Sequence, residues 1–402
     1  METTKISWAD FTFNPWMGCT KVSPACKNCY AERDMDHRYK KVVWGPNGNR
    51  RITSPANWRK PVNINKGAKC CATCGARLFT DSVVVGGKKR SFDACPTHGE
   101  LHKNEIVLNP EIRQRVFCAS LADVFESWDG SITSHKMNSS DVMYRTDKRG
   151  VFTAGAYDAT RSGDLVTMDD LRRKLFKLID ETPNIDWLLL TKRPENVKSM
   201  WQLDHITGTS GLYGQKKREN VWLGCSVEDQ EHASSRIPKL LECSELAGKL
   251  FLSCEPLVGP LDLHAVSDGE CVLNVLDGTF KHVERVSNVE PDGICPRVDW
   301  VITGGESGPE ARAASPDWYR QIRDQCASSQ LPFHFKQWGE WCPELQLPEE
   351  VLSMTLSRFD QDATFVEAEG DDYKGEYQYR IGKDKAGHLL DGVEHFAVPG
   401  VA

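Results

Sequence analysis

The chain is expected to be an α/β protein folded as a partial or distorted β/α barrel of the TIM type with parallel strands, carrying a small inserted zinc-ribbon-like module. Three observations predict this. Short apolar runs recur along the sequence, and each ends abruptly in polar or charged residues before a helical stretch. The runs are continuous rather than alternating, as befits strands buried on both faces. Their polar ends share one character, as they do where parallel strands converge on a common mouth.

The first strand is expected at Phe11-Thr12-Phe13, just ahead of a cysteine-rich loop. Six more follow at residues 115–120, 186–193, 220–228, 249–255, 299–307 and 332–338, which makes seven strands. Between them, Thr167 is placed to cap a helix whose Met168, Leu171, Leu175, Phe176, Leu178 and Ile179 share one face, with Asp169 and Asp170 in its first turn. Ser315-Pro316-Asp317 is read as opening another, with proline at its first helical position.

Residues 1–343 form the barrel-like catalytic domain in this reading, interrupted by the module at 67–103 and followed by an acidic extension at 344–402 that packs on the barrel. Residues 127–166 and 264–297 are further excursions, the second carrying Cys271 and Cys295.

With 402 residues, 40% of them hydrophobic, the chain has ample material for one large core. The N-terminus lacks an apolar leader and no run of about 18 apolar residues occurs. A cytoplasmic location with no membrane partner is expected. Fifteen cysteines in a reducing compartment point to metal binding rather than disulfides. Cys118, Cys225, Cys254 and Cys326 stand alone in apolar surroundings and are assigned to the core. The net charge of -7 argues against a nucleic-acid coat, yet residues 38–70 hold nine Lys or Arg and no acid, a stretch suited either to phosphates or to solvent. Residues 349–376 hold nine acids against Arg358 and Lys374.

Two metal signals stand out. Cys71, Cys74, Cys95 and His98 form C-x-x-C and C-x-x-H knuckles, a donor set that suits tetrahedral zinc and closes its shell. Cys70, adjacent to Cys71, is an alternative ligand. Such a site staples an insertion too small to have a core of its own. Cys19, Cys26 and Cys29, spaced C-x6-C-x2-C, supply only three thiolates. On an iron–sulfur cluster three thiolates leave one iron open to an outside ligand, and the amino and carboxylate groups of S-adenosylmethionine suit that place. Zinc or a redox role for the trio stays open.

The stretches 4–8, 14–32, 190–195, 221–230, 252–257, 304–309, 335–339 and 387–392 include Thr191-Lys192-Arg193-Pro194-Glu195 and Gly304-Gly305-Glu306-Ser307. In this order they resemble the phage-associated three-cysteine-motif proteins, a family of uncharacterised function similar to radical S-adenosylmethionine enzymes. The resemblance implies a partial barrel with a four-iron four-sulfur cluster on Cys19, Cys26 and Cys29, S-adenosylmethionine on the open iron, an electron donor, and a phage or bacterial host as the source. The first cysteine gap is six residues here, where the broad radical class has three.

An amino acid cofactor in the mouth needs carboxylates for its ammonium and cations for its carboxylate. Lys192, Glu228, Glu255 and Lys336 are the candidate catalytic residues. Ser120, Asp123, Arg193, Ser226, Ser253, Gly304, Gly305, Glu306 and Gln337 are the candidate cofactor-binding ones. Trp338 offers a stacking face or a core filler. The expected substrate is a nucleobase in a nucleic acid that is modified or repaired. Two other readings are a zinc-stapled nucleic-acid binder without catalysis, and a nuclease using Asp123, Glu228, Glu255 and Glu306 with a hard cation.

Overall fold

Seven parallel strands lie side by side in chain order and curl into a half barrel. They are β1 (Phe11–Thr12), β2 (Gln114–Cys118), β3 (Ile185–Thr191), β4 (Arg218–Ser226), β5 (Ala247–Cys254), β6 (Trp300–Thr303) and β7 (Phe333–Phe335). This computed structural model describes residues 4, 6–85, 88–135, 166–201, 216–285, 292–347, 363–366 and 376–400. Each apolar run read from the sequence supplies one strand. The strands stop short of most polar tips, so Ser120, Lys192, Glu228, Glu255, Glu306 and Lys336 fall in the loops just beyond the carboxyl ends.

Alternation along each strand divides the core in two. Val116, Trp187, Leu189, Val221, Leu223, Leu250, Leu252, Val301 and Phe335 pack outward with the helices. Phe117, Leu188, Trp222, Phe251, Trp300 and Ile302 point inward, where Trp8 from the N-terminal segment joins them. The ring centroids of Trp8 and Phe117 are 4.5 Å apart, and those of Trp222 and Trp300 5.9 Å. Gly224 makes this layer possible, since a Cβ there would lie 2.4 Å from the Phe251 ring. The inside of the half barrel therefore has an aromatic floor, below the loops that carry the polar tips. Cys118, Cys225, Cys254 and Cys326 are buried, as core residues should be.

Helix α1 (Met168–Asp180) begins as its sequence dictates: Thr167 Oγ1 accepts from Asp170 N at 3.1 Å, and Asp170 Oδ2 accepts from Thr167 N at 2.8 Å. Its six expected apolar residues are all buried. Helix α2 (Gln230–Leu241) is capped by Asp229, which accepts from His232 N at 2.9 Å. Helix α3 (Pro316–Ser328) starts with proline as expected, but the Ser315 side chain makes no capping bond.

Residues 264–297 contain an antiparallel sheet of four strands, with Cys271 Sγ 3.4 Å from His282 Nδ1. Most of 127–166 and of the acidic stretch 349–376 lies outside the described residues. The C-terminal segment runs along β7, where Phe335 N donates to His395 O at 2.8 Å and the His334 and Phe396 rings stack. No described helix is long and apolar enough to cross a membrane.

Candidate active site

Gly18 turns the chain into the cysteine loop with φ +105°, and a Cβ there would lie 2.6 Å from Asn49 O. A 3-10 turn (Pro24–Cys26) carries Cys26, and Cys29 stands immediately before the helical residues Tyr30–Glu32. The loop is fastened to the sheet at three places. Asn14 Nδ2 donates to Ser120 Oγ at 3.0 Å, and Asn14 Oδ1 accepts from Leu121 N at 2.8 Å. Arg193 Nη2 donates to Thr20 O at 2.8 Å. Asn28 Nδ2 donates to Glu306 Oε2 at 3.1 Å.

Cys19, Cys26 and Cys29 all line a cavity of about 800 Å³ at the mouth of the half barrel. The sheet brings to it Ser120, Asp123, Lys192, Arg193, Ser226, Ser253, Glu255, Gly305, Glu306, Lys336 and Gln337. Trp8 and Phe117 form its inner end, with Tyr30 and Trp44 along its wall. Burial, helped by the Glu126 and Asp123 carboxylates and opposed by Arg193, pushes the Cys19 thiol up to about 12. Burial also raises Cys29, against the N–H groups of Glu32 and Ala31.

Each candidate carboxylate has a basic partner. Asp123 takes Arg193 Nη1 at 2.8 Å, along with Thr191 Oγ1 at 2.8 Å and Lys192 N at 3.0 Å. Glu255 Oε1 lies 3.1 Å from Lys336 Nζ. Glu306 accepts from Arg312 Nε at 2.9 Å and Nη2 at 2.8 Å. Burial raises the Glu306 carboxyl, but Arg312 and Asn28 outweigh this and hold it below its ordinary value. Glu228 is buried and accepts from Arg236 Nη1 of α2 at 2.7 Å.

The candidate residues differ in where the structure places them. Glu228 does not line the cavity, because the returning helix captures it through Arg236. Gly304 does not line it either; its bareness matters because a Cβ would lie 2.5 Å from Glu255 Oε1. Arg193 lines the cavity but is buried, with donors engaged by Asp123, Thr20 and, at 3.7 Å, Cys19 Sγ. Gln337 donates to Ser307 Oγ at 3.0 Å. Lys192 lines the cavity half-buried, with no carboxylate partner among the described residues. Trp338 is buried and donates to Leu389 O at 2.8 Å, the core outcome of its two readings.

Beneath the loop lies a network that the sequence did not announce. Arg50 donates to Glu126 through Nε and Nη2, both at 2.7 Å, with both side chains buried, and Thr20 N donates to Glu126 Oε1 at 2.9 Å. The Arg50 guanidinium also lies 3.6 Å from the Trp128 ring centroid. Two of the nine cations between residues 38 and 70, Arg50 and Arg51, are thus interior structural groups and meet no phosphate. Glu126 follows Val124 and Phe125, both fully buried, and a charge joined to such a pair was the one available hint.

Cys71, Cys74, Cys95 and His98 gather at a second place, with all four ligand atoms within 4.8 Å of one another, and they form a group that can hold a metal ion. Cys71 Sγ is 3.5 Å and Cys95 Sγ 3.4 Å from His98 Nδ1. Cys70 belongs elsewhere: it is buried and points to Ala68 O at 3.7 Å. The group sits between the strand Ala68–Cys71, paired with Ile106–Asn109, and the antiparallel strands Phe79–Val85, Lys88–Cys95 and Gly99–Glu100.

The chain belongs to a family described as protein of unknown function (DUF5131), which matches residues 3–150 and 125–399. No curated protein and no solved structure matches it.

Proposed function

We propose that this member of an uncharacterised family is an iron–sulfur enzyme of the radical S-adenosylmethionine kind, with a four-iron four-sulfur cluster on Cys19, Cys26 and Cys29. One observation carries the reading: the three thiols open onto the same cavity as the tips of the parallel strands. Their number supports a cluster with an open place: three thiolates leave one iron free for an outside ligand, whereas the four donors Cys71, Cys74, Cys95 and His98 close a shell.

S-adenosylmethionine on a reduced cluster would supply a radical for hydrogen-atom abstraction, with electrons from a separate donor. The chain's own residues fit that ligand. Lys192 is an uncommitted cation for a carboxylate, and the Glu255–Lys336 pair presents both signs to an amino acid head. Ser226 and Ser253 offer hydroxyls, and Trp8 and Phe117 give the inner end of the cavity an apolar lining. Arg193 places a guanidinium beside Cys19 Sγ, which offsets thiolate charge in a desolvated place.

The second group is read as a structural zinc in a ribbon-like module, closed by its four protein ligands. The nuclease alternative loses ground on the same geometry. Asp123, Glu228, Glu255 and Glu306 are each engaged by a different cation, so they do not converge on one hard metal ion.

Anaerobic purification with metal analysis tests the reading. The expected protein is brown, with about four iron per chain, a band near roughly 400 nm, and release of 5′-deoxyadenosine from S-adenosylmethionine on reduction. A colourless protein with about two zinc per chain would instead make it a binder.

A further inference from the structure

The wall of the cavity formed by residues 19–44 has an outer side that the proposed chemistry does not use. The helical residues Tyr30–Glu32 and the π-helical turn Arg33–Arg38 start at the cavity, where Tyr30, Ala31 and Arg33 line it. The chain reverses at Lys40, with φ +50°, and returns to the cavity at Trp44. The reversal is therefore a short arm rooted on both sides in the mouth.

The arm is basic and aromatic. Arg38, Tyr39, Lys40 and Lys41 are exposed in succession, and the Arg38 guanidinium lies 5.1 Å from the Tyr39 ring centroid. The acids of the same segment are occupied: Glu32 pairs with Lys21 at 2.6 Å, Asp34 with Arg33 at 3.1 Å, and Asp36 accepts from Trp44 N at 2.8 Å. Lys27, Arg38, Lys40 and Lys41 have no carboxylate partner among the described residues. Tyr30 and Tyr39 are 46% and 49% exposed, and the Tyr30 ring is held in place by its hydroxyl, which donates to Ser120 O at 2.9 Å. A protein with net charge -7 that keeps such a cluster beside an aromatic-lined cavity is not attracting anions indiscriminately.

Cations that follow a phosphate backbone, together with exposed rings on which bases stack, are the two ingredients of single-strand recognition. We infer that this arm is a docking surface for single-stranded nucleic acid, which leads one nucleotide to the cavity mouth. The inference rests on the cavity being the reaction site, and it supplies the substrate class for it. An unpaired strand also removes the need to lever a base out of a duplex.

The experiment is fluorescence anisotropy with a labelled single-stranded oligonucleotide, as DNA and as RNA, at two salt concentrations. The purified protein should bind one or both, with affinity falling as salt rises by a slope of about -0.7 for each phosphate neutralised. Arg38→Glu/Lys41→Glu should weaken binding more than tenfold. Arg173→Glu/Lys177→Glu, an equal charge change on exposed residues of α1, should weaken it less than twofold. Tyr39→Ala, which leaves every charge in place, should cost severalfold. Absence of salt-dependent binding, or equal losses in the two double variants, overturns the inference. Iron content is measured on the same preparations: wild-type protein that binds the strand but takes up no iron sinks the cluster reading and leaves the docking surface standing.

Discussion

The two cysteine groups of this chain achieve their geometry by opposite means. Cys71, Cys74, Cys95 and His98 are brought together by local hairpins, within 28 residues of sequence, and their ligand atoms already crowd around one point. Cys19, Cys26 and Cys29 sit in a loop with little regular structure of its own, positioned by Asn14, Arg193 and Asn28 through partners on the barrel. A self-sufficient knuckle suits a metal that holds structure. A loop whose shape is borrowed from the strand tips suits a centre that must face a substrate.

The largest effect should come from the ligands themselves. Cys26→Ala should abolish iron loading and keep the module's zinc, whereas Cys74→Ala should do the reverse, both measured by metal analysis. Loss of both metals from either change would show that the two groups are not independent. Next in size is the buried pair under the loop. Arg50→Met takes from the buried Glu126 its two-pronged partner, leaving it only Thr20 N at 2.9 Å and Arg193 Nη2 at 3.5 Å, and should destabilise the barrel by about 3 kcal/mol in chemical denaturation, with iron lost before zinc. A purely structural change remote from either group should follow the same order. Leu175→Ala, fully buried on α1, should cost about 2–5 kcal/mol and leave zinc retention in the module unchanged.

The smallest effect concerns the latch at Glu306. Its carboxyl is held below the ordinary value in the folded chain, so its contribution is complete above about pH 4.3 and is lost as pH falls through the folded value. Thermal melts between about pH 3 and 6 should therefore fall less steeply for Glu306→Gln than for the wild type. Equal slopes would mean that Arg312 and Asn28 do not hold this carboxylate as drawn.

The sheet was legible because strands covered on both faces write themselves as unbroken apolar runs, and the residue after each run had to lie near the mouth. What a run cannot tell is where its tip turns. Glu228 reads like Glu255, yet Arg236 on the following helix draws it into the interior, a contact across eight positions that no strand pattern encodes. Arg193 was legible as a site residue but not as one already engaged by Asp123 and Thr20. The choice between Cys70 and Cys71 was closed to sequence because adjacent strand residues face opposite ways, and only the fold says which side holds the partners. The Arg50–Glu126 pair was hidden for another reason: its members stand 76 positions apart, among charges of ordinary appearance.

Among the described residues, no ladder of hydrogen bonds joins β1 to β7; the gap is spanned instead by side chains such as Ser7, whose Oγ is 2.8 Å from His334 Nε2. The free edge of β7 is not bare, since the C-terminal segment lies against it: Phe335 N donates to His395 O at 2.8 Å and Trp300 Nε1 to Ala397 O at 2.8 Å. The last residues of the chain thus take the place an eighth strand would fill, and the half barrel depends on both of its ends to close its side.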